Sequence, residues 1–200
     1  MNVALLTSTE ALHDMENFAA LAALTCHANT DKEYVPADVL KRIIKLGHES
    51  ILEHINLTFS IEDLSRACLQ ELARHRHISL SVESTRHTLK KKLLEAVDTC
   101  TYPDTVYWKD AYPFVQALYA WYVNHRSMSN DELKYYLPEF WPTNLIITLN
   151  IREFRHILKL RTAPQALKEF RILARGMLNE VPDEFKYLLQ DCVHEEVKHE

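Results

Sequence analysis

Residues 54–82, HINLTFSIEDLSRACLQELARHRHISLSV, change hydrophobic period twice. Ile55, Leu57, Phe59 and Ile61 alternate with Asn56, Thr58, Ser60 and Glu62, the two-residue repeat of a strand with one buried face. Ser60 and Asp63 then have capping-box spacing, and Leu64, Cys68 and Leu72 fall on one helical face. This predicts a helix that delivers Arg74, His75, Arg76 and His77 at its end. Ile78, Leu80 and Val82, alternating with Ser79, Ser81 and Glu83, return the chain to an extended path. Strand, helix and strand in so short a span point to a fold that mixes both classes.

Upstream, Val3–Leu6 is a candidate first strand, and Thr9–Cys26 carries Leu12, Phe18, Leu21 and Leu24 at near-helical spacing. Val39, Ile43, Ile44 and Leu46 mark a second helix that Gly47 should stop. Downstream, residues 90–130 read as a helical, aromatic-rich region broken at Pro103 and Pro113, a candidate insertion. Leu137-Pro138 and Trp141-Pro142 precede a helix with Ile147, Ile151, Phe154 and Leu158 at helical spacing. Thr162, followed by Pro164 and Gln165, marks a break and a newly capped start for a last helix through Leu173 and Leu178. The expectation is one domain over residues 1–200, of α/β class in its α+β-like form: helix-rich, with a small mixed or antiparallel sheet.

Composition narrows the function. A chain of 200 residues with 47% hydrophobic and 26% charged side chains can bury a core and is not a disordered one. Its only glycines, Gly47 and Gly176, leave no Gly-rich phosphate loop of the dinucleotide or P-loop kind. A formal charge of −5 disfavours general nucleic-acid binding. The apolar stretch Phe18–Cys26 is too short to span a membrane, so a cytoplasmic protein is expected. Cys26, Cys68, Cys100 and Cys192 form no CxxC pair and read as free thiols, none of them a nucleophile.

Three segments could carry chemistry. Arg74–Arg86, RHRHISLSVESTR, is a local positive site in an acidic protein, with forked guanidinium donors and hydroxyls suited to a phosphate-bearing planar ligand; a solvated helix end is the alternative. Gly47–His54, GHESILEH, suggests a metal site from His48, Glu53 and His54, but the two histidines lack the i, i+4 pairing that puts imidazoles on one helical face. The Glu10/His13 and Glu196/His199 spacings resemble carboxylate di-iron ligands without partner glutamates, so no metal is expected. In Asn150–Arg161, NIREFRHILKLR, Arg152, Arg155, His156 and Lys159 share one side of a helix and Asn150 and Arg161 another. Glu153 is the only acid there, which favours an anion-facing surface.

Together these segments resemble the flavin-dependent thymidylate synthases. The family signature RHRxxSxNxxSxR is matched by Arg74, His75, Arg76, Ser79, Ser84 and Arg86, with Ser81 in place of the Asn. HxSxxEH is matched by His48, Ser50, Glu53 and His54, and the late NxR…R pattern by Asn150, Arg152 and Arg161. The resemblance implies a cytoplasmic homotetramer that makes dTMP from dUMP, with methylenetetrahydrofolate as carbon donor and NADPH to reduce FAD. It places FAD against Ser50, Arg74, His75, Arg76, Val82, Asn150, Arg152 and His156. It places dUMP against Glu71, Leu72, Ala73, Arg74, Val82, Glu83, Ser84, Thr85, Arg86, Lys134 and Arg161, with Arg161 as the catalytic group at the uracil ring. Glu71, Val82, His87, Lys134, His156 and Gln165 stand where the family commonly has Gln, Glu, Tyr, Arg, Asn and His. A non-catalytic nucleotide-binding relative, or one-carbon transfer to another pyrimidine nucleotide, remains open at this level.

Overall fold

The computed structural model describes residues 1–26, 33–98 and 108–195. The chain runs β1 (Asn2–Leu5), α1 (Thr9–Thr25), α2 (Pro36–Lys45), a 3-10 segment Glu49–His54, β2 (Asn56–Ser65), α3 (Arg66–Leu72) and β3 (Ile78–Val82). It continues through α4 (Thr85–Asp98), α5 (Trp108–Val123), α6 (Asn130–Leu133), β4 (Pro142–Asn150), α7 (Ile151–Arg161) and α8 (Lys168–Glu180) to two short 3-10 turns. The four strands form one antiparallel sheet in the order β1-β2-β4-β3, which resolves the expected mixed or antiparallel sheet and keeps the α+β class.

Leu57, Phe59, Ile61, Leu145, Ile147 and Leu149 point to one face of the sheet and are buried there. Phe154, Ile157 and Leu158 of α7 and Phe170, Leu173 and Met177 of α8 complete this core, with Phe154 edge-on to Phe59 at 5.8 Å. Each such side chain contributes about 1.5–3 kcal/mol when fully buried, so the α7 and α8 backbones are held firmly against β2 and β4. A second, smaller core of Leu89, Leu93, Val115, Tyr122, Leu133 and Trp141 gathers α4, α5 and α6.

Several sequence expectations are corrected. β2 does not end near Ile61 in a helix cap; it continues to Ser65 through a bulge, the register slipping between Ile61 and Leu64. Asp63 takes φ +58° there, which an Asp tolerates, and its N–H donates to Asn144 Oδ1 at 3.0 Å. The extra residue returns Leu64 to the core, and Ser65 caps α3 by accepting from the Cys68 N–H at 3.0 Å. Ile147 belongs to β4, not to the following helix: Thr143, Leu145, Ile147 and Leu149 are buried alternately, a strand pattern that the coincidental spacing of Ile147, Ile151 and Phe154 conceals. Asn150 therefore ends the strand and caps α7, its Oδ1 accepting from the Glu153 N–H at 2.8 Å.

The basic run is not the end of a helix. α3 stops at Leu72, and Arg74–His77 lie in a turn closed by the Arg74 N–H on Glu71 O and the His75 N–H on Leu72 O. α5 runs through Pro113 without breaking, forgoing one backbone donor. α8 begins at Lys168 without a side-chain cap, while Thr162 closes α7 by donating its hydroxyl to Leu158 O. Gly47 stops α2 as expected: at φ +73° its N–H reaches Ile44 O while the His48 N–H reaches Ile43 O, a Schellman closure. Pro103, Cys100 and the Glu196/His199 pair lie outside the described residues.

Candidate active site

Two adjoining clefts open where the turn after α3 meets the outer side of α7. The larger, about 610 Å³, is lined by Glu71, Arg74, His75, Arg76, His77, Glu153, His156, Leu160 and Arg161. The smaller, about 470 Å³, is lined by Glu49, Glu53, His77, Asn150, Arg152, Glu153, His156 and Lys159. The Arg74 segment and the Asn150 helix, far apart in sequence, thus share one wall.

The centre of the larger cleft is a hydrogen-bonded row. His75, only 5% exposed, sets Nδ1 3.1 Å from Glu153 Oε1, and Arg161 Nε lies 3.0 Å from His75 Nε2. A guanidinium N–H can only donate, so Nε2 accepts and the ring proton sits on Nδ1, facing Glu153. The ring is therefore neutral. Burial, helped by the Arg161 charge, holds its pKa below the usual imidazole value although Glu153 pulls upward. Arg161 Nη1 donates to Glu71 Oε2 at 2.8 Å, and the guanidinium lies over the Phe170 ring at 4.7 Å. Its Nη2 has no partner among the described residues.

His75, Glu153 and His156 also place one ligand atom each within 4.8 Å of one another; Glu153 and His156 stand three apart on α7, and the fold adds His75 from the turn after α3. A cation on His75 Nδ1 would move the ring proton to Nε2, where it would oppose the Arg161 N–H. The residues are better matched to the hydrogen-bonded row than to a metal.

The helix face expected to attract anions is largely compensated by acids brought from elsewhere. Arg155 is not on an open surface: at 2% exposure it binds Asp191 through both Nη atoms at 2.6 and 2.7 Å, Leu188 O at 2.6 Å and Glu49 at 3.1 Å. Arg152 pairs with Glu53 at 2.5 Å and Lys159 with Glu49 at 3.3 Å. Burial raises the Glu49 carboxyl, but Arg155 and Lys159 together bring it below its ordinary range. Arg74 and Arg76 are exposed and make no ion pair among the described residues.

The other expected contacts divide. Leu72 is fully buried in the core, and Ala73 is exposed beside it. Ser50, Val82, Glu83, Ser84, Thr85, Arg86 and Lys134 line neither cleft. Glu83 pairs with Lys92 at 2.5 Å, and Arg86 and Lys134 converge on one oxygen of Asp131 at 2.9 and 3.2 Å. His48 and His54 are exposed, and Glu53 is engaged by Arg152. Glu10 is exposed, and His13 faces Glu184 and Phe185. Sequence reasoning named His77 only as part of the basic run, Glu53 only as a motif residue and candidate metal ligand, and Glu153 only as the lone acid of its helix, and it gave Glu49 no role; that all four line these clefts follows from the tertiary packing of the 3-10 segment, the turn after α3 and α7.

The family described as thymidylate synthase complementing protein matches the chain over residues 5–185. The chain belongs to the flavin-dependent thymidylate synthase family. It is 34% identical to the Campylobacter jejuni flavin-dependent thymidylate synthase over 88% of this chain and 92% of that protein. With the Wolinella succinogenes enzyme it is 36% identical over 96% of this chain and all of that one. A crystal structure of the Helicobacter pylori flavin-dependent thymidylate synthase, complexed with FAD and dUMP, superposes with a TM-score of 0.81 at 30% identity, covering 97% of this chain and all of that one. The family's members are methyltransferases that make dTMP, and this chain is an enzyme of that kind.

Proposed function

We propose that the chain binds FAD and dUMP at the walls of these clefts and methylates dUMP reductively, with methylenetetrahydrofolate as the one-carbon donor and NADPH as reductant. The supporting observation is Arg161, held on three sides at the lining of the larger cleft beside Arg74 and Arg76, which make no ion pair among the described residues. The lining fits a phosphate-bearing flavin: it offers Arg74, Arg76, His77 and Asn150 as donors, with Arg152 shared with Glu53, and such side chains can grip anions without a glycine cradle. FAD bound there and reduced by NADPH supplies the hydride that completes the methyl group.

The protein's own part is to orient and polarise. The open Nη2 edge of Arg161 meets uracil N3 and O2, stabilises negative charge there and raises electron density at C5, so that C5 attacks the methylene carbon without an enzymic nucleophile. Burial pushes the Cys68 thiol upward and raises that of Cys192 to about 11, which suits neither to attack.

Glu71, Arg74 and Arg161 line one cleft, whereas Glu83, Ser84, Thr85, Arg86 and Lys134 line neither. In our reading the two groups come from different chains of a homotetramer with shared sites. No helix among the described residues is long and apolar enough to cross a membrane, in keeping with a cytoplasmic enzyme. The test is an absorbance spectrum of the purified protein, light scattering, and anaerobic oxidation of the reduced flavin on adding dUMP and methylenetetrahydrofolate. A yellow oligomer oxidised only when both are present is expected; a monomer with a full complement of FAD would refute the shared site.

A further inference from the structure

The three tethers on Arg161 differ in strength. Glu71 is 38% exposed along its side chain, so its ion pair is screened by water. The Phe170 face supports the guanidinium plane but leaves it free to slide. The contact to His75 is the most enclosed, since the His75 side chain is 4% exposed, and it alone engages Nε. That contact exists only while Nε2 is bare. With the proton on Nε2, two N–H groups would face each other across 3.0 Å, and Arg161 would have to turn away.

The buried Glu153 carboxylate decides which nitrogen carries the proton, because an ionised acid only accepts and so retains the hydrogen on Nδ1. Glu153 is in turn fixed by position: it stands in the first turn of α7, with its N–H capped by Asn150, whereas Arg161 ends the same helix. The His75 ring, brought in by the turn after α3, bridges the two.

We propose that Glu153 is a positioning residue for Arg161, acting through the His75 ring, so that the open edge of the guanidinium is aimed before substrate arrives. This rests on the role proposed above for Arg161. The charged and titratable groups facing the ring are Glu153, His156 and Arg161 of α7, with Glu71 of α3 reached through Arg161. A buried acid that orients a histidine is a general device; the difference here is that the histidine hands the orientation to an arginine.

The experiment uses the flavin-loaded full chain and measures two half-reactions in single turnovers: flavin reduction by NADPH, and oxidation of prereduced enzyme with saturating dUMP and methylenetetrahydrofolate. Glu153→Ala should slow oxidation by roughly ten-fold or more, up to the about 10² to 10³-fold expected for losing the Arg161 donor outright, while reduction is unchanged. Glu153→Gln should recover most of the rate, since an amide oxygen still accepts from Nδ1–H. Equal slowing of both half-reactions, an Ala variant as fast as the parent, or a Gln variant as slow as Ala would each overturn the proposal. Should the Ala variant not fold, ring ¹⁵N shifts of His75 in the unaltered protein decide: a bare Nε2 supports it and a protonated Nε2 overturns it. Arg161→Ala separates the two ideas. If that variant oxidises normally, the role of Arg161 itself is wrong; if it is slow while Glu153→Ala is not, only the positioning role fails.

Discussion

Removing the Arg161 side chain should leave a folded flavoprotein that cannot activate its substrate. The structural cost follows from its contacts. A hydrogen bond to a neutral ring is worth about 0.5–1.5 kcal/mol, a partly exposed ion pair about 0–1 kcal/mol, and a cation over a ring about 0.5–1 kcal/mol. Their sum, roughly 2 kcal/mol, is small against the ~5–15 kcal/mol of a typical domain, so Arg161→Ala should fold and keep FAD. The chemical cost is larger: loss of one donor aimed at developing charge typically slows the step about 10² to 10³-fold. Arg161→Lys should recover only part of this. It keeps the charge but loses both the Nε donor to His75 and the paired N–H groups that could meet N3 and O2 together. The assay compares single-turnover oxidation by dUMP and methylenetetrahydrofolate with flavin reduction by NADPH. Equal slowing of the two, or loss of the flavin, would show that Arg161 supports the cofactor or the fold, and the reasoning would be refuted.

Arg155→Met should lower the urea midpoint substantially, by about 3 kcal/mol in stability, since it strands Leu188 O and releases Asp191 and Glu49 from a guanidinium that is 2% exposed; an unchanged midpoint would show that the network is dispensable. The carboxyls of Glu49 and Asp191 are both held low in the fold, burial opposing and Arg155 prevailing. Their contribution to stability is therefore present above the ordinary carboxylate range near pH 4 and lost as pH falls through the lowered folded values, an acid limb that Arg155→Met should flatten in a stability–pH series. Asn150→Ala should cost about 1 kcal/mol by uncapping α7, read as a lower melting temperature. Asp131→Asn frees Arg86 and Lys134, so the KM for dUMP should fall, by less than about ten-fold for such exposed pairs; a rise would mean that Asp131 positions those cations instead of occupying them. Replacing Cys26, Cys68, Cys100 and Cys192, with Ala at the buried 68 and 192, should preserve dTMP formation, and loss of turnover with intact flavin content would restore a covalent mechanism.

What could be read along the chain was whatever local physics decides. The alternation from Ile55 to Ile61 marks a strand because successive side chains point to opposite faces, and Gly47 stops α2 because a glycine takes a positive φ without strain. The basic motif, the HxSxxEH segment and the late Asn-Arg pattern were enough to suggest the family, since three separate motifs match its patterns in the same order along the chain. Where two periods overlap, the neighbouring strand chose. Ile147 fits a helix with Ile151 and Phe154, yet its backbone pairs opposite Phe59 and Leu80, and that sheet hydrogen bonding is invisible to a one-dimensional pattern. Charge was settled in the same way. Asn150–Arg161 looks anion-seeking because it contains one acid, but Glu49, Glu53 and Asp191 arrive from other elements and neutralise Arg152, Arg155 and Lys159. His75 shows the limit most clearly: its place in the motif was legible, whereas its protonated nitrogen depends on Glu153 and Arg161, 78 and 86 residues away in the chain, because proton position is set by the partners a fold supplies and not by neighbours in sequence.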